Sequence, residues 1–147
     1  MANTVTFKPK QVTKRILSTL PTRAYDVIVN RFGIADDAER KTLEAIGKKY
    51  GITRERVRQI ENSAIALIRK SESFKNEKAV FDELKKLLHT LGGIVSEQVF
   101  LNHLSKDPLT QNSIHFYLTL GEEFTKHKED DDFKTRWSVD GEVSDKI

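Results

Sequence analysis

Apolar residues recur at three- and four-residue intervals through most of this chain, and only near its carboxyl end does the pattern turn toward alternation. In "QVTKRIL", Val12, Ile16 and Leu17 form a short amphipathic stripe. Pro21 can open a second helix, because its missing N–H costs nothing in a first turn. Ala24, Val27, Ile28 and Phe32 share a face of that helix, and Gly33 is placed to close it. "IADDAERK" reads as a loop. Thr42 can cap a third helix, "LEAIGKKY", with Leu43, Ile46 and Tyr50 inward. Gly51 ends that helix, since a left-handed backbone costs glycine little. Ile52 fills the turn, and Thr53 caps the helix that follows. Helix, three-residue glycine turn and longer helix make a helix-turn-helix.

On the longer helix, Val57, Ile60, Ala64, Leu67 and Ile68 fall within one arc of about 100°. Arg54, Glu55, Arg58, Gln59 and Asn62 fall on the other side, and Arg56 borders the apolar stripe. A charged run is ordinarily a solvated face, but such faces favour Lys–Glu pairs at spacings of three or four. The five residues here are the types that read base edges. Arginine can fork onto guanine, Gln and Asn can pair with adenine, and Glu can accept from cytosine. Ile65 lies outside the stripe, so Ile65 to Ile68 surround the helix with apolar surface; this predicts burial against something later in the chain.

Beyond the linker "KSESFKNE", Val80, Leu84, Leu87, Leu88 and Leu91 mark another helix, closed by Gly92-Gly93. Ser96 can cap "EQVFLNHL". Asp107 can cap a third helix that has Pro108 in its first turn and runs through "LTQNSIHFYLTL" to Gly121. "EFTKHK" and "FKTRWSV" then alternate partly, joined by the turn-prone "EDDD", as in a β-hairpin. Three helices and a hairpin predict a winged helix. The fold class expected is therefore mainly α: a helical helix-turn-helix domain over 1–72, a small winged-helix domain over 73–140, and a tail over 141–147.

Charge divides along the same line. Residues 1–74 hold 15 Lys and Arg against 8 Asp and Glu, whereas residues 75–147 hold 10 against 14, so net charges of +7 and −4 leave +3 overall. A polyanion partner is expected for the first half only. In the second, Glu129, Asp130, Asp131 and Asp132 at the wing tip would be repelled by a duplex, and the third helix offers Gln111, Asn112 and His115 but no arginine. Protein contact is favoured there, although Lys126, Lys128, Lys134 and Arg136 leave a mixed role open, as does the plainer reading of a structural spacer.

Two strings of the first half identify it further. "LPTRAYDVIVNRFGI" and "TLEAIGKKYGITRERVRQIENSAI" closely resemble the fourth conserved region of housekeeping-type bacterial sigma factors, over about residues 11–70. The resemblance implies a helix-turn-helix that binds the minus-35 promoter element in the major groove and docks on the beta flap of the RNA polymerase core. Carried over by position, it makes Arg54, Glu55, Arg58 and Gln59 the base-reading group and places Arg31, Thr42, Leu43 and Thr53 near phosphates. Free N–H groups at helix amino termini suit that second role. The sequence departs from the family at "AIALIRK", where the family usually carries basic residues. The promoter-melting region is not in this sequence, so the chain alone is not expected to act as a complete sigma factor. Less specifically, residues 76–139 resemble HARE-type winged helices such as the amino-terminal domain of the RNA polymerase delta subunit, through "FDELKKLL", "GGIVSEQVFLNHL" and "EFTKHKEDDDFKTRWSV".

The remaining chemistry is sparse. There is no cysteine, which excludes disulfides and thiolate metal sites and suits a cytoplasmic protein. His89, His103, His115 and His127 lack ligand spacing, and the aspartate run lacks the glycine and closing glutamate of a calcium loop. No phosphate-cradling loop or nucleophile motif appears. No apolar run approaches the roughly 20 residues of a membrane span, and "MANTVTFKPK" is no signal peptide. Trp137 reads as core. The expectation is a non-enzymatic transcription protein without cofactor, metal or small-molecule substrate, whose partners are double-stranded promoter DNA and RNA polymerase. A polymerase-independent repressor or activator, and an interaction protein that occupies the beta flap in place of a sigma factor, remain as alternatives.

Overall fold

A computed structural model describes residues 5–35, 37–127 and 135–139. The amino-terminal half comprises α1 (Pro9–Leu17), α2 (Thr22–Phe32), α3 (Leu43–Tyr50) and α4 (Arg54–Lys70). A single turn, α5 (Glu72–Lys75), leads to α6 (Lys78–Thr90), β1 (Ile94–Ser96), α7 (Glu97–Leu104), α8 (Pro108–Leu120), β2 (Phe124–His127) and β3 (Arg136–Val139). The three strands form an antiparallel sheet in the order β1-β3-β2, with Val95 opposite Trp137 and Trp137 opposite Lys126. This helix-strand-helix-helix-strand-strand order is that of a winged helix, so the fold is a helix-turn-helix followed by a small winged unit. The acidic tip (Glu129 to Asp132), with Lys128, Lys134 and the 141–147 tail, falls outside the described residues.

Several elements differ from the reading of the pattern. The first helix begins at Pro9, which occupies its opening position and is itself buried. The linker is ordered: Ser71 caps α5 by accepting from the Phe74 amide. At the end of that linker the Glu77 carboxylate, almost wholly buried, accepts from Arg15 Nε at 2.6 Å and Nη2 at 3.1 Å. β1 has only three residues, too few to carry a periodicity, and it exists because β3 pairs with it.

Two apolar clusters organise the molecule. The smaller joins Val27 of α2, Ile46 of α3 and Val57 of α4, flanked by Leu43, Tyr50, Ile52 and Ile60. The larger runs from Ile16, Ile28, Phe32, Ala64, Ile65 and Ile68 into Phe81, Leu84, Phe116, Tyr117 and Leu120, so one core joins both halves of the chain. Phe32 lies 4.8 Å from Phe116 between ring centroids, and Phe81 lies 6.2 Å from Tyr117. Burying an aliphatic side chain such as Ile68 contributes about 1.5–3 kcal/mol. Ile65 and Leu67 sit on opposite flanks of the α4 stripe. The shared core covers Ile65, while Leu67 remains 49% exposed and is not a stripe residue as its spacing predicts.

Polar contacts fasten the same seam. Arg69, near the end of α4, donates from Nε to the Leu120 carbonyl and from Nη2 to the Thr119 carbonyl, both at 2.9 Å. These carbonyls end α8, where the helix itself supplies no donor. Tyr117 donates its hydroxyl proton to the Pro9 carbonyl at 2.8 Å and lies 2.6 Å from the Thr13 hydroxyl. Burial pushes the Tyr117 hydroxyl far above its ordinary pKa, so it stays a protonated donor.

Candidate nucleic-acid interface

The helix-turn-helix is set by local chemistry. Thr42 accepts from the Ala45 amide at 3.0 Å, and Thr53 accepts from the Arg56 amide at 3.1 Å. Gly51 takes φ 69°, the left-handed conformation that reverses the chain between α3 and α4. Gly47 permits the close approach of the turn: a Cβ there would stand 2.6 Å from the Ile52 carbonyl oxygen. Tyr50 donates its hydroxyl to Asp26, its ring lies 4.7 Å beneath the Arg23 guanidinium, and its pKa is pushed up to about 12 by burial and by the Asp26 hydrogen bond. The end of α3 is thereby fixed to the beginning of α2.

With Val57 fully buried, the opposite face of α4 turns to solvent. Arg54, Glu55, Arg58, Gln59 and Asn62 are all exposed on it, together with Arg56. The face is partly ordered by its own contacts. Arg58 donates to Glu55 through Nη2 at 2.6 Å and Nε at 3.1 Å, and Arg56 Nη1 donates to Gln59 Oε1 at 3.2 Å. The Arg58 guanidinium holds the Glu55 carboxyl below the usual carboxylate range, and Glu55 in turn raises the pKa of Arg58. Arg54 makes no hydrogen bond or ion pair among the described residues.

The four residues expected near phosphates are placed differently from one another. Thr42 and Thr53 are exposed, and each hydroxyl, while accepting a capping N–H, keeps its own proton to donate. Leu43 packs its half-buried side chain onto the small cluster, so its contribution to an anion would be its first-turn backbone N–H. Arg31 is engaged within the protein: Nε donates to Glu61 Oε1 at 3.0 Å and Nη1 to the Lys41 carbonyl at 3.4 Å. It ties α2 to α4 and to the segment before α3. The residue that sequence reasoning missed here is Glu61, and a signal for it existed. Around α4, Glu61 falls between Ile68 and Ile65, at the edge of the inward arc, and a carboxylate there calls for a cation on the packed side.

The winged half holds its third helix differently from the sequence expectation. Gln111, Asn112 and His115 do not line a free face of α8. Asn112 Nδ2 donates to the carbonyls of Gly33 and Ala38, each at 2.9 Å, and Arg40 Nε donates to Asn112 Oδ1 at 2.9 Å. Gln111 bonds Asn102 Oδ1 at 3.0 Å and the Ser105 carbonyl at 2.6 Å. His115 packs beside Phe32 and Trp137, and its pKa is lowered to about 3 by burial, reinforced by Arg40, Lys126 and Arg31. Asn112 is held by the first half, Gln111 by α7 and the residue that follows it, and His115 is buried between Phe32 and Trp137, so the three do not form a free reading face. Trp137 is buried and donates to Glu97 Oε1 at 2.8 Å. Among the described residues no three His, Asp or Glu side chains cluster as a metal site, and no helix is long and apolar enough to cross a membrane.

Comparison with known proteins agrees with this geometry. Residues 16–70 match the family model described as sigma-70, region 4. Two curated relatives, both RNA polymerase sigma factor RpoD from Helicobacter pylori (strains 26695 and J99), are 54% identical to this chain over 54 residues. That match covers 37% of this chain and 8% of each relative, so the chain spans under a tenth of the length of the sigma factors it resembles. The resemblance read from the sequence therefore holds for the helix-turn-helix half.

Proposed function

We propose that the protein binds duplex DNA in a sequence-specific manner, inserting the exposed face of α4 into the major groove of a minus-35-type promoter element, and that it acts with bacterial-type RNA polymerase in transcription initiation or its regulation. One observation carries the reading: within a stretch matching sigma-70 region 4, Arg54, Glu55, Arg58 and Gln59 stand together on the exposed face of a helix anchored by Val57 and Ile68. Arg54 and Arg58 fork onto guanine, Gln59 pairs with adenine and Glu55 accepts from cytosine. Thr42 and Thr53 hydroxyls, the Leu43 amide and the outer edge of Arg31 meet phosphates on either side and set the register. The polymerase partner is the core enzyme, engaged through its beta flap, and such a role belongs in the cytoplasm.

The winged half adds no second reading helix, because α8 is packed against α1 and α2. It acts as a brace that completes the core of the helix-turn-helix. Footprinting on a minus-35-containing promoter, with and without core polymerase, tests the proposal. Protection should centre on the minus-35 element and weaken by about 1–3 kcal/mol in Arg58→Ala. Equal binding of wild type and variant would overturn it. Retention of core enzyme by the immobilised protein distinguishes this reading from a repressor that works without polymerase. Retention that persists in a variant lacking Arg54 and Arg58, without any footprint, would instead identify an occupant of the flap.

A further inference from the structure

We infer that a groove between α1, α2 and the start of α8 is a docking site for an amphipathic protein helix whose apolar stripe is flanked by carboxylates. The inference is independent of the DNA reading, since none of the residues involved lies on α4. The groove encloses about 560 Å³, a volume suited to a few large side chains. Its floor is apolar: Leu20, Val29 and Ile34 are only partly covered by the core beneath them, and Leu109 of α8 adds to the lining. Tyr25 stands on the rim 46% exposed, and its hydroxyl has no partner among the described residues. A partly covered apolar floor with an aromatic rim is the form in which helix-in-groove recognition recurs.

Charge selects the occupant. Lys10 and Lys14 project along the α1 side of the groove, Lys8 continues the row where the groove runs on beside Phe7, and none of the three has an ion-pair partner among the described residues. Among the described residues no carboxylate lines the groove itself. The one in its extension, Asp107, is occupied in capping α8 through the Thr110 amide. The larger hollow, of about 660 Å³ beside Phe74 and Phe81, carries both cations and carboxylates at its edge, so charge selects no partner there. Three unpaired ammonium groups beside an apolar trough fit a helix with acidic flanks. A nucleic acid would satisfy the lysines but leave the trough unfilled.

The experiment uses the whole chain and two labelled synthetic helical peptides of about 16 residues, each with leucines at i, i+3, i+4 and i+7. One carries glutamates beside the stripe and the other lysines, and a random-sequence duplex serves as a third probe. Fluorescence anisotropy should show saturable binding of the glutamate peptide alone to the wild type. Combining Lys10→Glu with Lys14→Glu should weaken that peptide by about tenfold or more and let the lysine peptide bind instead. Tyr25→Ala should weaken the matched peptide in either background. Circular dichroism confirms the fold, since all three positions are exposed. The inference is overturned if the wild type binds both peptides equally, binds neither, or binds only the duplex in a way that the lysine substitutions abolish.

Discussion

Arg58 grips Glu55 one turn away on the open face of α4, through Nη2 at 2.6 Å and Nε at 3.1 Å. In the free protein the central arginine of the candidate reading face is therefore neutralised by a neighbour and held in a planar fork. An exposed pair of this kind adds little stability, so its effect falls on recognition. In Glu55→Ala, Arg58 is released to any phosphate. Affinity for random duplex should rise, the slope of log K against log salt should steepen by about one unit, and preference for the cognate sequence should shrink. Titrations at several salt concentrations measure all three. Unchanged random-sequence affinity would show that Glu55 does not restrain Arg58.

Gly47 is the tightest point of the reading module, for an added Cβ meets the Ile52 carbonyl oxygen at 2.6 Å. That atom belongs to the backbone of the turn and cannot swing aside. Gly47→Ala should therefore move the turn and α4 with it, at a cost of about 1–3 kcal/mol. DNA affinity should fall although no contacting residue has changed. Gly51→Ala should cost less in space, since no described residue stands within 4 Å of an added Cβ, but it strains the left-handed backbone. Thermal midpoints and duplex binding of the two variants separate the effects.

Asn112 makes three hydrogen bonds across the seam, two donated to Gly33 and Ala38 and one accepted from Arg40. Asn112→Leu leaves two carbonyls and a guanidinium facing an alkyl group. Each buried group left unpaired costs about 1–3 kcal/mol. The variant should lose several kcal/mol in chemical denaturation, and exchange protection should fall in the 34–41 segment as well as in α8. Loss confined to α8 would show that the two halves are energetically separate.

What could be read in advance, and what could not, divides by the range of the interaction. Thr42, Thr53, Ser96 and Asp107 each accept from an amide three residues on, so their caps were visible in the sequence. The exposed group on α4 followed from the apolar stripe opposite it, Val57, Ile60, Ala64 and Ile68. The sequence offers no sign that Asn112 joins the halves, because its partners, Gly33, Ala38 and Arg40, lie more than 70 positions away. β1 was hidden for the same reason, as its pairing partner is 42 residues further on at Trp137. The continuous apolar run at Ile65 to Ile68 did announce the seam. Which flank is covered depends on a surface from the other half, and so Ile65 is buried while Leu67 is not.

His115 supplies a pH test of that seam. Its pKa is lowered to about 3 in the folded protein, chiefly by burial and then by Arg40, Lys126 and Arg31, against an unfolded value near 6.5. Among the described residues, Glu97 Oε1 lies 3.8 Å from Nε2 and already accepts from Trp137, while Nδ1 has no hydrogen-bond partner. Below about pH 6.5 the unfolded chain takes a proton that the folded chain refuses, so stability must fall as pH falls, by up to about 1.4 kcal/mol per unit. The loss ends only once the folded pKa is passed. In His115→Phe, which keeps an aromatic ring against Phe32 and Trp137, this contribution should vanish. Urea midpoints for both proteins between about pH 7 and pH 5, above the main range of carboxylate titration, should give a steeper decline for the wild type. Parallel declines would mean that the imidazole is solvated and the seam between α8 and the helix-turn-helix is open.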